Sequence, residues 1–180
     1  MKKIVMCLTV LIVLVTGAFS QNQDKKETSY DLFISQSGKI ISFLDYNLPN
    51  IKGLYSTYEN KIRVLKAGDK TNYYFQVTVK GKYSDVTGSV EDKDLDEMAK
   101  ALDSLLIMYE KDKQTQADYM ENKYVTNDGF ELGYYISGKD SSWYLGLDKY
   151  KSDSTAFVKD GNTIKNAIKI AQDKIKTLKQ

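Results

Sequence analysis

Three pairs of adjacent aromatic residues lie in stretches where apolar and polar side chains alternate: Tyr73-Tyr74, Tyr134-Tyr135 and Trp143-Tyr144. Neighbouring residues of a strand point to opposite faces of a sheet, so one member of each pair can be buried while the other is exposed. We expect Tyr74, Tyr135 and Tyr144 to share the outer sheet face as an aromatic patch. Such a patch stacks on sugars, peptides or bases. The alternative is cross-strand pairing, which the high strand propensity of tyrosine favours.

A second candidate site is basic. Residues 159–180 carry six lysines and two acids, and Lys165 and Lys169 lie in a segment with helical periodicity. These lysines could bind an acidic partner or lipid headgroups. The alternative is a solvated helix face whose lysines suit the C-terminal end of the helix dipole. Because residues 85–112 hold nine acids and three bases, the two helical segments would also neutralise each other if they lay side by side.

Carboxylates offer a third kind of chemistry. Two acids about 5 to 10 Å apart in a cleft are sufficient for glycoside hydrolysis, and acids stand near the ends of predicted strands: Asp85, Glu91, Glu131, Asp148 and Asp153. A hydrolase acting on an extracellular glycan is therefore an alternative function. The acids of residues 92–97 resemble a calcium loop only superficially and are interpreted as a helix start, with Asp94 and Glu97 forming a capping box. No catalytic residue, metal site or cofactor is predicted.

The first twenty residues have the three parts of a secretory signal peptide: a cationic start, a short apolar run and a small-residue cleavage site. They contain the only cysteine, Cys7, and the two lysines that account for the net charge of +2. The remaining chain is neutral and has no histidine or cysteine. Disulfides, zinc sites built on His and Cys, His-based triads and Cys nucleophiles are excluded on this reading. We expect export to the periplasm or beyond, with no membrane span after cleavage and nucleic acid disfavoured as a partner.

Periodicity indicates two runs of strands, each followed by a helix. In the first run, Phe75 and Val77 alternate with Tyr74 and Gln76. The predicted strands lie around Lys39–Tyr46, Ile62–Lys66, Tyr74–Lys80 and Val86–Val90, and then Tyr119–Thr126, Phe130–Ile136, Trp143–Leu147 and Thr155–Lys159. The predicted helices carry the apolar stripes Leu95–Tyr109 and Ile164–Leu178, the second with Asn162 as N-cap.

These elements predict an α+β fold in which two pseudo-repeated antiparallel sheets are each closed by one α-helix. The halves span about 38–112 and 118–180 and are offset by about 69 residues, because Leu95 aligns with Ile164. A flexible lead-in at 21–29 precedes them.

The element order resembles the tandem four-strand-plus-helix topology of the Whirly and PUR single-strand nucleic-acid-binding folds. The segments Lys61–Lys66 and Asp128–Ile136 also resemble uncharacterised small exported proteins of Bacteroidetes, a family that implies no known activity. The resemblance to Whirly and PUR implies single-strand nucleic-acid binding as a further alternative. Our prediction is an exported, non-catalytic binding or interaction module for a protein or glycan partner. Homodimerisation through open sheet edges or the aromatic face is also compatible with the sequence.

Overall fold

The computed structural model describes residues 27–148 and 153–180 of the 180-residue chain. The predicted signal peptide (1–20) and most of the predicted lead-in lie outside the described residues. The predicted α+β class is confirmed, because the chain forms two antiparallel sheets and three helices. The helices are α1 (Ser29–Ile34), α2 (Asp92–Asp112) and α3 (Gly161–Leu178). The strands are β1 (Ile41–Asn47), β2 (Ile51–Lys52), β3 (Thr57–Ala67), β4 (Lys70–Val79), β5 (Val86–Glu91), β6 (Tyr119–Val125), β7 (Glu131–Ser137), β8 (Asp140–Gly146) and β9 (Thr155–Val158).

The first sheet has the strand order β1-β3-β4-β5, and the short strand β2 pairs with the start of β3. In the register, Ile62 lies opposite Phe75, and Phe75 lies opposite Val90. All three side chains are buried in the main core. The alternation predicted for Phe75 and Val77 is therefore confirmed, and the same alternation places Tyr74 and Gln76 on the outer face.

The second sheet has the strand order β6-β7-β8-β9. The predicted Asn127-Asp128-Gly129 turn joins β6 to β7, and glycine suits its last position because the backbone there has φ +84°. Tyr134 and Trp143 are directly opposite each other and face the main core. Their neighbours Tyr135 and Tyr144 consequently point to the outer face.

The two long helices run antiparallel. Lys179, just after α3, pairs with Asp92 at the start of α2, and Lys165 near the start of α3 lies 2.7 Å from Asp103 further along α2. The acidic and basic helices therefore neutralise each other side by side. Both pack between the sheets: α2 contacts β4 to β7, and α3 contacts β2, β3 and β9.

The sheets also meet directly at two places. A Cβ at Gly88 of β5 would lie 2.8 Å from the Phe130 ring, so glycine allows the close approach of the sheets there. At the other place, the amide of Leu54 donates a 2.8 Å hydrogen bond to the carbonyl of Phe157, and the Tyr58 hydroxyl contacts the same backbone. The outer side of the edge strand β9 is therefore covered by the first half of the chain.

One helix was not predicted, and two predicted helix caps were wrong. The unpredicted helix is α1, whose first residue, Ser29, is the last residue of the predicted lead-in at 21–29. Helix α2 begins at Asp92, two residues before the predicted cap Asp94, and no side chain caps it. Asp160 caps α3 instead of Asn162, because its carboxylate accepts a 3.0 Å hydrogen bond from the amide of Thr163. Within the described ranges, no helix combines the length and apolar character that crossing a membrane requires.

Candidate binding face

The outer face of the second sheet is the candidate site. Both long helices pack against the opposite face, where Tyr109 of α2 contacts the rings of Tyr134 and Trp143. The register places four aromatic side chains on the outer face, one from each strand, and we call them the aromatic strip: Tyr119, Tyr135, Tyr144 and Phe157.

The strip is continuous across the sheet. The Tyr119 and Tyr135 rings are nearly parallel, with an interplanar angle of 18° and centroids 6.2 Å apart. The Tyr135 ring then meets the edge of Phe157, with centroids 6.3 Å apart and an angle of 89°. Tyr119 is 58% exposed, and Tyr135 and Phe157 are half-buried. Two nearly parallel rings and one perpendicular ring therefore run across the outer face of the second sheet.

Tyr144 lies beneath this surface and is only 6% exposed. It stands opposite Gly133, which in turn stands opposite Lys123 of β6. Gly133 has no side chain, so the Tyr144 ring can cross β7 and its hydroxyl donates a hydrogen bond to Glu121 of β6. A larger residue at 133 would also clash with β6, since its Cβ would lie 2.5 Å from the carbonyl oxygen of Asn122.

Glu121 is the acidic centre of the strip. One carboxylate oxygen accepts from Tyr144, and the other accepts a 2.9 Å hydrogen bond from the Tyr119 hydroxyl. The bond from Tyr144 is the main reason that the pKa of Glu121 is lowered. Burial, and then the bond to Glu121, raises the pKa of Tyr144, while the bond to Glu121 raises that of Tyr119. Near neutral pH, the strip therefore contains one ionised carboxylate and two protonated phenols.

Next to Glu121, a neutral ion pair completes the face. The ammonium of Lys123 lies 3.1 Å from the nearer carboxylate oxygen of Glu131 on the neighbouring strand. The face of an aromatic ring is the negative end of its quadrupole, so it attracts weakly positive C–H groups of a ligand. The strip thus combines stacking surfaces with a hydrogen-bond acceptor, and its one net charge is the negative charge of Glu121.

The expectation that Tyr74 is exposed on the same face was wrong. Tyr74 belongs to the other sheet and is fully buried, at 0% exposure. Helix α1 covers it: the rings of Tyr30 and Tyr74 meet edge to face at 5.2 Å, and the Tyr74 hydroxyl donates to the carbonyl of Ser29. Phe33 and Leu65 complete this small second core. Burial of Tyr144 likewise leaves Tyr135 as the accessible member of the predicted trio.

The two candidate lysines of α3 are both exposed and both ion-paired. Lys165 pairs with Asp103 of α2, and Lys169 lies 3.6 Å from Asp173 one helical turn later. Each positive charge therefore has an acid beside it. The arrangement matches the solvated, neutralised helix face that the sequence allowed, and it offers little free charge for an anionic partner.

A separate group of acids lies where α1, α2 and the β6–β7 turn meet. The carboxylate of Asp128 accepts from the amide and hydroxyl of Ser29, and Glu91 accepts from Asn72 at 3.0 Å and pairs with Lys93 at 2.6 Å. Burial, followed by the neighbouring acids, raises the pKa of Asp94. The contact between Ser29 and Asp128 fastens the start of α1 to the β6–β7 turn. Within residues 27–148 and 153–180, no group of three or more His, Cys, Asp or Glu side chains is placed to hold a metal ion.

Sequence reasoning did not include Tyr119, Glu121 and Phe157 in the site. The alternation in β6 does contain the signal, because Tyr119, Glu121 and Lys123 must share one face. What the sequence could not supply is the register, which brings Glu121 opposite Tyr135 and Phe157 opposite Tyr144.

Comparison of the chain with protein-family models, with curated proteins and with solved structures gave no match. The resemblances to exported Bacteroidetes proteins and to the Whirly and PUR folds therefore stay predictions.

Proposed function

We propose that the protein is an exported, non-catalytic binding module whose aromatic strip binds an uncharged glycan. The observation that carries the proposal is the line of rings across the face of the second sheet that none of the described helices covers, with Glu121 held between two tyrosine hydroxyls. A sugar ring has an apolar face that stacks on aromatic rings and hydroxyls that donate to a carboxylate. Export is supported by the signal-peptide pattern of residues 1–20.

Charge favours a glycan over a nucleic acid. The carboxylate of Glu121 lies within the strip and would repel phosphate groups, whereas single-strand binders line their stacking surfaces with positive charge. The nearest lysine, Lys123, is neutralised by Glu131. The same carboxylate is a good acceptor for the hydroxyl groups of a neutral sugar.

The test is binding of the protein to an array of neutral oligosaccharides, followed by titration calorimetry with the oligosaccharide that binds. Tyr119→Ala and Tyr135→Ala should each weaken binding at least about tenfold, because each removes one stacking surface. Tyr83→Ala is the matched control: Tyr83 is 90% exposed on the β4–β5 connection and should not affect affinity.

Two results would overturn the proposal. One is equal affinity of the wild type and both strip variants, with unchanged circular dichroism. The other is retention of single-stranded DNA at low salt together with no response to any neutral glycan, which would favour the nucleic-acid alternative.

A further inference from the structure

The geometry points to a second binding surface, the open edge of β6, and we infer that it pairs antiparallel with β6 of a second copy of the chain. Within the described ranges β6 pairs only with β7, so its other side presents unpaired backbone groups. The opposite edge of this sheet, β9, is covered by Leu54 and Tyr58. The second sheet therefore has one open edge.

The sequence of β6 is complementary to itself about Asn122. In a two-fold pairing with Asn122 opposite its own copy, Glu121 lies opposite Lys123, Met120 opposite Tyr124, and Tyr119 opposite Val125. Opposite charges and apolar pairs directly across antiparallel strands both stabilise a sheet. A two-fold interface uses the same patch on both copies and must be self-complementary in this way.

No neighbouring register has this property. A two-fold axis at residue 121 places Glu121 opposite its own copy, and an axis at residue 123 does the same for Lys123. Both registers bring like charges together, which destabilises a strand pair. Alternate residues of a strand face the same side of the sheet, so each of these registers keeps the outer faces of the two copies on one side. Of the three, the pairing at Asn122 is the one that places opposite charges across from each other.

Exposure supports the same edge. Tyr119 and Val125 are 58% and 44% exposed, and they lie opposite each other in this register, so the pairing would bury both side chains. Lys123 already lies 3.1 Å from Glu131 of its own chain. In the pair, its ammonium would lie between Glu131 and Glu121 of the second copy, so each lysine bridges two acids.

The helix above the edge leaves room for a second copy. Glu97 of α2 reaches the hydroxyl of Tyr124 at 3.5 Å and so marks the flank of the helix that faces β6. Ala101, Ser104 and Met108 follow at helical spacing on the same flank. Two of them are small, and Met108 is 41% exposed, so the flank can approach its copy across the axis.

The two edge strands of the first sheet, β1 and β5, lack this complementarity, because neither contains a base. Strand β1 contains one charged residue, Asp45, and no base. The Asp45 carboxylate is already held by Lys61 at 2.7 Å and Arg63 at 2.6 Å. No two-fold register within β1 therefore opposes opposite charges, which is why we assign the pairing to β6.

Sedimentation analysis of the full chain over a range of concentrations tests the pairing. The wild type should dimerise, and Lys123→Glu and Glu121→Lys should each raise the dissociation constant at least about tenfold, because each places like charges opposite each other twice. An equimolar mixture of these two variants should dimerise again, since every cross-strand pair is then opposite in sign. Lys139→Glu, the same change at the exposed β7–β8 turn, is the matched control and should dimerise as the wild type does.

Circular dichroism melting checks that each variant is folded. Because Lys123→Glu removes an ion pair within the chain, Val125→Glu provides a second test at an exposed position, where it places an acid opposite Tyr119. A wild type that is monomeric at all concentrations would overturn the inference. So would undiminished dimerisation of folded Lys123→Glu and Val125→Glu, or a mixture of the charge variants that stays monomeric.

Discussion

The hydrogen bond between Tyr144 and Glu121 should stabilise the second sheet measurably. The Tyr144→Phe change removes only the hydroxyl, since the ring can still cover Gly133. A hydrogen bond to a charged group contributes about 1.5–3 kcal/mol. The Tyr144 end is buried, but Glu121 is exposed and can regain water, so we expect about 1.5 kcal/mol. For a protein of this size, that lowers Tm by roughly 3–6 °C.

The size of this effect should depend on pH. The pKa of Glu121 in the folded protein is lowered, chiefly by the bond from Tyr144. A lowered pKa of an acid adds stability above its unfolded value, and this contribution is lost as the pH falls through the folded value. The destabilisation by Tyr144→Phe should therefore be full at pH 7 and should shrink as the pH falls below the unfolded pKa of 4.5.

A double-mutant cycle separates this bond from other effects. Thermal unfolding of the wild type, Tyr144→Phe, Glu121→Gln and the double variant should give a coupling of about 1–1.5 kcal/mol at pH 7. Tyr135→Phe, on the same face, is the control and should change stability by less than about 0.5 kcal/mol. Additive effects of the two single variants, or a coupling of equal size at pH 3, would refute this account of the site.

Two further predictions concern the first sheet. Gly88→Ala should lower Tm by roughly 3–10 °C, because its Cβ would lie 2.8 Å from the Phe130 ring. The control Thr87→Ala, at an exposed position, should leave Tm unchanged. An unchanged Tm for Gly88→Ala would show that the two sheets can move apart there. The pKa of Asp45 is lowered to about 2, chiefly by the hydrogen bond from Arg63. The ionised Asp45 therefore stabilises the folded protein above pH 3.8, and this contribution is lost as the pH falls toward 2. Asp45→Asn should accordingly flatten the pH dependence of the urea midpoint between pH 4 and pH 2, and an unchanged slope would contradict this.

Periodicity predicted the elements of this fold well because nearly all of them have one buried and one exposed face. The stripe from Leu95 to Tyr109 lies in α2, and the alternation around Phe75 lies in β4. The starts of the helices were less predictable. Asp94 lies two residues inside α2, since acids near a helix N-terminus are favourable at several positions and do not mark one boundary.

The candidate site was predicted only in part for a different physical reason. Alternation assigns Tyr74 and Tyr135 correctly to outer faces, but it does not show what covers those faces. A six-residue helix with Tyr30 and Phe33 was sufficient to bury Tyr74. Such a short helix gives almost no periodic signal, and its stability comes from the contact it makes. The site on the second sheet similarly depends on register, which a single sequence does not supply.

The two edges of the second sheet differ in whether they can pair with a further strand. An open strand with exposed apolar side chains would recruit further strands without limit if both edges were free. Here Leu54 and Tyr58 cover β9, which leaves β6 as the open edge. Pairing of β6 about Asn122 uses that edge completely, so association stops at two copies. The charges of Glu121 and Lys123 disfavour shifted registers. In the paired dimer, the Tyr119 rings of both copies lie on one continuous face, so the two aromatic strips form a longer surface for a polymeric ligand.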